Sequence, residues 1–211
     1  MDLLNPQPPR LPVAPLAYEK RFHDQHSDVL RLYFNQLSNV VGAVVAPRGG
    51  QWLNFPYAAI QRTTDKTFTI NTPTQITFDQ NDFLNGCAND GTDGIRVEQD
   101  GIYNYQFRVQ LQNTDTQIHS AWIWLRVNNV DVLGTGSKFD VISSHGGTPG
   151  YVIAACNFFV ELQANDTVEM WAAVSNVAVT FDAAPAQTSP FPMPAIPSVV
   201  ATLSFVSNLP A

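Results

Sequence analysis

Only two cysteines, three methionines and 14% charged residues occur in 211 positions, and each scarcity excludes something. No run of 18 apolar residues exists, so no stretch reads as a membrane-spanning helix. The start, Met1 to Arg10, is polar and proline-rich. It lacks the basic opening and apolar stretch of a secretory signal, so export is not expected. Cations are sparse and uneven. Residues 1–48 hold Arg10, Lys20, Arg21, Arg31 and Arg48, and after Lys138 there is no lysine or arginine. A surface so poor in cations, with a net charge of −7, does not bind nucleic acid through phosphates. Cys87 falls in a loop-like stretch and Cys156 in an apolar strand pattern. They read as two free thiols in a reducing compartment rather than as a disulfide.

Catalytic patterns are equally scarce. The sequence has no Gly-x-Ser-x-Gly elbow, no phosphate loop and no His-Glu-x-x-His. His23 and His26 stand at a helical ligand spacing, but no carboxylate completes a metal set there. Asn89 to Gly94 hints at a calcium loop, yet Gly91 occupies a position that must donate a side-chain oxygen, so a polar turn is the better reading. Glu161, Asp166 and Glu169 could form a spaced carboxylate pair, but they bracket a turn, where solvated charges are ordinary. Neither an enzymatic role nor a metal or other cofactor is expected.

What remains is apolar and patterned, with 45% hydrophobic residues, enough for one core. Residues 1–17 carry Pro6, Pro8, Pro9, Pro12 and Pro15 and read as an extended arm. Leu11, Val13 and Leu16 between the prolines suggest that the arm docks. Residues 18–42 read as one amphipathic helix, roughly 36 Å long at 1.5 Å per residue. Tyr18, Phe22, His26, Val29, Leu30, Tyr33, Phe34, Leu37, Val40 and Val41 fall on its apolar face, and Gly42 is a candidate C-cap. That face needs cover from the protein itself, from other copies or from a host surface. Residues 43–65, with Gly49-Gly50 and several aromatics, read as a joint.

From residue 66 to 211 the period is two. Tyr103, Tyr105, Phe107, Val109 and Leu111 alternate with polar residues, and further short strands follow, separated by turns such as Asn128-Asn129 and Asn165-Asp166. Gly134 to Gly150 reads as a loop and Ala183 to Pro197 as a second proline-rich excursion. The fold class expected is mainly β, an antiparallel jelly-roll β-sandwich preceded by the arm and helix. Two strands are apolar on both faces: Trp122 and Trp124 back Ile123 and Leu125, and Ile153 and Phe159 back Phe158 and Val160. A sandwich has one interior, so the second face meets either the helix and loops or a sister subunit. The subunit interface, at Trp122, Trp124, Ile153 and Phe159, is preferred. The tryptophans, Trp171 among them, are also candidates for stacking a sugar.

The stretch Gly101, Tyr103, Phe107, then Trp122 to Leu125 leading to Asn128, then Leu162 to Glu169, resembles the trimeric jelly rolls of the complement globular-head and tumour-necrosis-factor superfamily. Asn129 and Asn165 stand where that family has glycines, and asparagine tolerates the left-handed backbone such turns need. The front end, Pro9 to Pro15, Tyr18 to Phe22 and Leu30 to Leu37, resembles the openings of small structural proteins of tailed bacteriophages. There a short arm and helix attach a trimeric jelly roll to the particle. The resemblance implies a homotrimeric capsid decoration (cement) protein. It would sit on the virion surface after assembly in the host cytoplasm, with the major capsid protein as partner. Docking would use Leu11, Val13, Phe22, Val29, Tyr33 and Leu37. The alternative is a receptor- or glycan-binding tip of a phage fibre or spike, with a host glycan as ligand.

Overall fold

The structure is a computed structural model, and it describes residues 10, 11, 13, 16, 17, 19–45, 55–89 and 94–209. The residues sort into two compact units, Met1–Asn54 with Ala211, and Phe55–Pro210.

The first unit is organised by helix α1, Lys20–Val45. The carbonyl of Glu19 accepts from the amides of Phe22 and His23, closing its first turn. Phe22, His26, Val29, Leu30, Tyr33, Leu37 and Val40 are half-buried along one stripe, while Leu32, Phe34 and Val41 are exposed. The stripe is thus narrower than the sequence suggests. The predicted stop at Gly42 is also corrected: the helix runs three residues further, to Val45, because a single glycine inside a helix costs only about 1 kcal/mol. Asp28 and Arg31 pair at 2.7 Å on the polar side. Among the described residues no helix is long and apolar enough to cross a membrane.

The second unit is an antiparallel sandwich of two sheets. Its strands are β1 (Tyr57–Arg62), β2 (Thr74–Ile76), β3 (Gln80–Asn85), β4 (Cys87–Ala88), β5 (Ile95–Val97), β6 (Gly101–Asn113), β7 (His119–Val127), β8 (Val130–Asp131), β9 (Ser137–Val141), β10 (Gly150–Leu162), β11 (Thr167–Val174), β12 (Val179–Phe181) and β13 (Val199–Ser207). Sheet 1 has the order β10-β6-β13-β1-β3, with β12 also on β6; sheet 2 has the order β4-β5-β11-β7-β8, with β2 on β11 and β9 on β7. The pairings nest: β1 with β13, β5 with β11, β6 with β10, and β7 with β9.

Period-two patterning sets the core. The odd residues of β6 from Tyr103 to Leu111 face inward and meet Ile123, Leu125, Met170 and Phe181, all fully buried except Phe107, which is nearly so. Turns follow the asparagines. Asn128 and Asn129 have φ of 50° and 66° and join β7 to β8, and Asn165 has φ of 74° before β11. The sandwich begins earlier than its pattern predicts. β1 lies inside the stretch 43–65 read as a joint, and its alanines hide the alternation. Conversely, the stretch around Phe68 to Thr72 makes only isolated bridges at Lys66 and Ile70. β9 lies within the expected loop Gly134 to Gly150, because Phe139 and Val141 give too short an apolar alternation to register as a strand.

Candidate interaction surfaces

Cys87 lies in β4 rather than in a loop, and its thiol is buried. Burial, with Glu98 nearby, pushes its pKa up to about 12. Cys156 is half-buried, its sulfur 3.5 Å from the Ser137 hydroxyl, and both cysteines are free. The three carboxylates clustered in the sequence do not converge. Glu161 points outward on sheet 1. Asp166 accepts from Asn128 Nδ2 at 2.7 Å and from the Gln163 amide at 2.7 Å, fixing a turn. Glu169 is buried on sheet 2 and accepts from Trp171 Nε1 at 2.7 Å and from the Asn129 amide at 3.1 Å. Residues 90–93 of the calcium-like loop lie outside the described residues. Among the described residues no three metal-ligating side chains come together.

Three surfaces carry exposed apolar groups. In the first unit Leu11 and Val13 are exposed, the latter by 92%. Phe22, Val29, Tyr33 and Leu37 share the half-buried stripe of α1. Phe22 stacks on His26 with ring centroids 5.9 Å apart, so that histidine packs along the apolar stripe.

The outer face of sheet 1 is the second surface. β10 is an edge strand of thirteen residues and presents Tyr151, Ile153, Ala155 and Phe159 outward, Phe159 being 66% exposed. Beside them runs a polar chain. Asp182 accepts from Gln110 at 3.2 Å and Gln112 at 3.0 Å, and Gln112 reaches the Tyr151 hydroxyl at 2.7 Å. A shallow groove lies on this face, lined by Gln106, Arg108, Ala155, Asn157, Val200 and Thr202.

The outer face of sheet 2 is the third. Trp124 lies opposite Trp171 in the β7–β11 register, with Trp122 two residues along. The Arg126 guanidinium sits 4.0 Å from the Trp171 ring centre and 5.8 Å from that of Trp124. Asp131 accepts from Arg126 Nε at 2.6 Å and from Trp124 Nε1 at 2.8 Å. Those bonds, the Arg126 bond first, hold the Asp131 carboxyl below its ordinary pKa. The indole donors of Trp124 and Trp171 are therefore both engaged within the chain. Trp122 keeps the most exposed of these rings, at 37%.

The four residues expected to share a subunit interface thus lie on opposite sides of the sandwich, Ile153 and Phe159 on sheet 1, Trp122 and Trp124 on sheet 2. Sequence reading missed Tyr151, Arg126 and Asp131. Tyr151 extends the alternation of Ile153 by one step and could have been found. The Arg126–Asp131 pair depends on the hairpin register, which no single residue announces.

The chain matches no protein-family model and no curated protein.

Proposed function

We propose that this chain is a structural protein of a virus particle. In this reading it is a homotrimeric decoration protein on the outer face of a capsid, without catalysis. One observation carries the proposal: a separate unit built on an amphipathic helix precedes a sandwich whose outer faces both expose large apolar side chains. The helix stripe and the exposed Leu11 and Val13 supply docking surface for a shell protein. The sandwich faces supply contacts between copies. An edge strand as long as β10, apolar and paired on one side only, is stable against aggregation when another surface covers it. The nested strand pairings support a jelly roll, since rolling up one long hairpin brings the first strand to the last and the second to the next-to-last. The resemblance to trimeric jelly rolls with phage-like openings points the same way.

The deciding experiment removes residues 1–42 and adds the protein to undecorated particles. Loss of binding, with the β-type circular dichroism unchanged, is the expected result. A truncated protein that still decorates particles would sink the docking role of arm and helix. Copy number then separates the two locations: a count comparable to the shell protein fits decoration, and a handful per particle fits a fibre or spike tip.

Trp122 favours that second reading on one point. An exposed indole beside Trp124 and Lys138 is a stacking surface with a polar neighbour, the composition a glycan site uses. Binding on a glycan array that disappears with Trp122→Ala would support it.

A further inference from the structure

The proline-rich excursion is an insertion in a strand. β12 and β13 both pair with β6, and on the same side, because β10 occupies the other side at residues 111–113. Phe181 lies opposite Leu111 and Val199 opposite Val109. Only one position, opposite Gln110, separates them on β6, yet the chain spends residues 182–198 there. The ladder loses nothing: Gln110 accepts from the Asp182 amide at 2.9 Å and donates to the Ser198 carbonyl at 2.9 Å. β12 and β13 are one strand line, interrupted by a side hairpin.

That hairpin is firmly built. Ala184 and Ile196 exchange backbone bonds of 2.9 and 2.8 Å, and Gln187 and Met193 exchange bonds of 3.0 and 2.9 Å. Both feet are pinned to the same neighbouring segment, Ala183 N–H to Asp65 Oδ1 at 2.8 Å and the Ser198 hydroxyl to the Thr64 carbonyl at 2.7 Å. Five prolines fix its backbone, and no charged residue occurs from 183 to 198. Its tip, Thr188 to Pro192, is exposed, with Phe191 57% accessible. A rigid, uncharged, aromatic-tipped projection loses little conformational entropy or charge hydration when it docks.

We propose that this hairpin is a knob that inserts Phe191 into the sheet 1 groove of a second copy. The groove is walled by Ala155, Val200 and Thr202, and its one charged lining residue, Arg108, meets no like charge on the knob. No residue of the same copy's hairpin lines it. Knob and groove are different patches, so each copy offers both halves of the contact, and a closed assembly uses every knob and every groove. This rests on the homotypic assembly proposed above and names the contact that makes it.

The test is the mass of the full-length protein by light scattering across a concentration series, at two salt concentrations. The wild type is expected at a multiple of 23.2 kDa, insensitive to salt. Phe191→Asp on the knob and Val200→Asp in the groove should each give monomers with unchanged circular dichroism. Their one-to-one mixture should recover a paired species, since each retains the half that the other lacks. Deletion of residues 183–198, which joins Asp182 to Val199 in register, should also give a folded monomer; if it fails to fold, the point variants still decide. Point variants that keep the wild-type mass, or a mixture that stays monomeric, overturn the knob-and-groove contact and leave homotypic assembly standing. A wild type that is itself a 23.2 kDa monomer at every concentration overturns both.

Discussion

The Arg126 guanidinium sits 4.0 Å from the ring centre of Trp171 on the neighbouring strand and 5.8 Å from that of Trp124. Trp171 donates to Glu169 and Trp124 to Asp131, so a carboxylate anchors each indole beside the cation. Replacing Arg126 by Ala should cost about 1–2 kcal/mol, the range of a partly desolvated cation over an indole. Arg126→Lys should recover only part, because a compact, strongly hydrated ammonium interacts less well with an aromatic face than a guanidinium does. Urea titration of the three proteins reads this directly. The sign with pH follows from Asp131. Its pKa is lowered in the fold, so its contribution is present above the ordinary value of 3.8 and lost as pH falls through the lowered one. The gap between wild type and Arg126→Ala should therefore narrow on acidification below that value. A constant gap would mean that Asp131 gains nothing from the guanidinium.

Two core tyrosines two residues apart predict opposite outcomes. Tyr103 donates to the Gln99 carbonyl at 2.8 Å, whereas the Tyr105 hydroxyl is fully buried and has no hydrogen-bond partner among the described residues. An unpaired buried hydroxyl costs about 1–3 kcal/mol. Tyr105→Phe should leave stability unchanged or raise it by about 1 kcal/mol, and Tyr103→Phe should lower it by about 1 kcal/mol. Thermal melts of both variants, run side by side, would show the split. A loss at Tyr105 would reveal a partner for its hydroxyl, such as a buried water.

This contrast marks how far the sequence could be read. Strict alternation from Tyr103 to Leu111 and the turns at Asn128 and Asn165 made the strands, the inward set and the sandwich class legible, because one buried face imposes period two. β1 was not legible, since Ala58 and Ala59 blur the alternation on which the reading depends. Nor did the pattern separate the two outer faces. Ile153 and Trp122 look alike as second apolar sets, and only the strand order assigns them to different sheets. The side hairpin was legible as a proline-rich excursion. Its nature as an insertion depends on register with β6, which is a long-range property.

The cysteines should differ in reactivity. Cys87 is buried with its pKa pushed up to about 12, so at pH 8 iodoacetamide should label Cys156 and spare Cys87 until the protein unfolds. Mass spectrometry of labelled peptides, with and without denaturant, checks this. The raised pKa also implies alkaline sensitivity. The fold keeps the thiol neutral, so this contribution is complete below the ordinary value of 9.0 and is lost as pH rises towards 12. Cys87→Ala should therefore lose stability less steeply than the wild type between those limits.

Glycine at the start of β10 is required by a close approach. A Cβ on Gly150 would collide with the Ile142 carbonyl, with the Ser143 carbonyl oxygen only 2.8 Å away. These are backbone atoms, and they cannot rotate aside as a side-chain end can. Relief would need β10 to shift, and with it Ile153 and Phe159 on the outer face. Gly150→Ala should thus cost about 3 kcal/mol, in the range of steric strain at a buried backbone contact. Gly136 is the control, since a Cβ there meets nothing within 4 Å, and Gly136→Ala should change stability by under about 0.5 kcal/mol. Guanidinium unfolding of both variants measures the difference. Equal and small effects would mean that the β9–β10 connection yields easily, and that the outer face of sheet 1 is held by β6 alone.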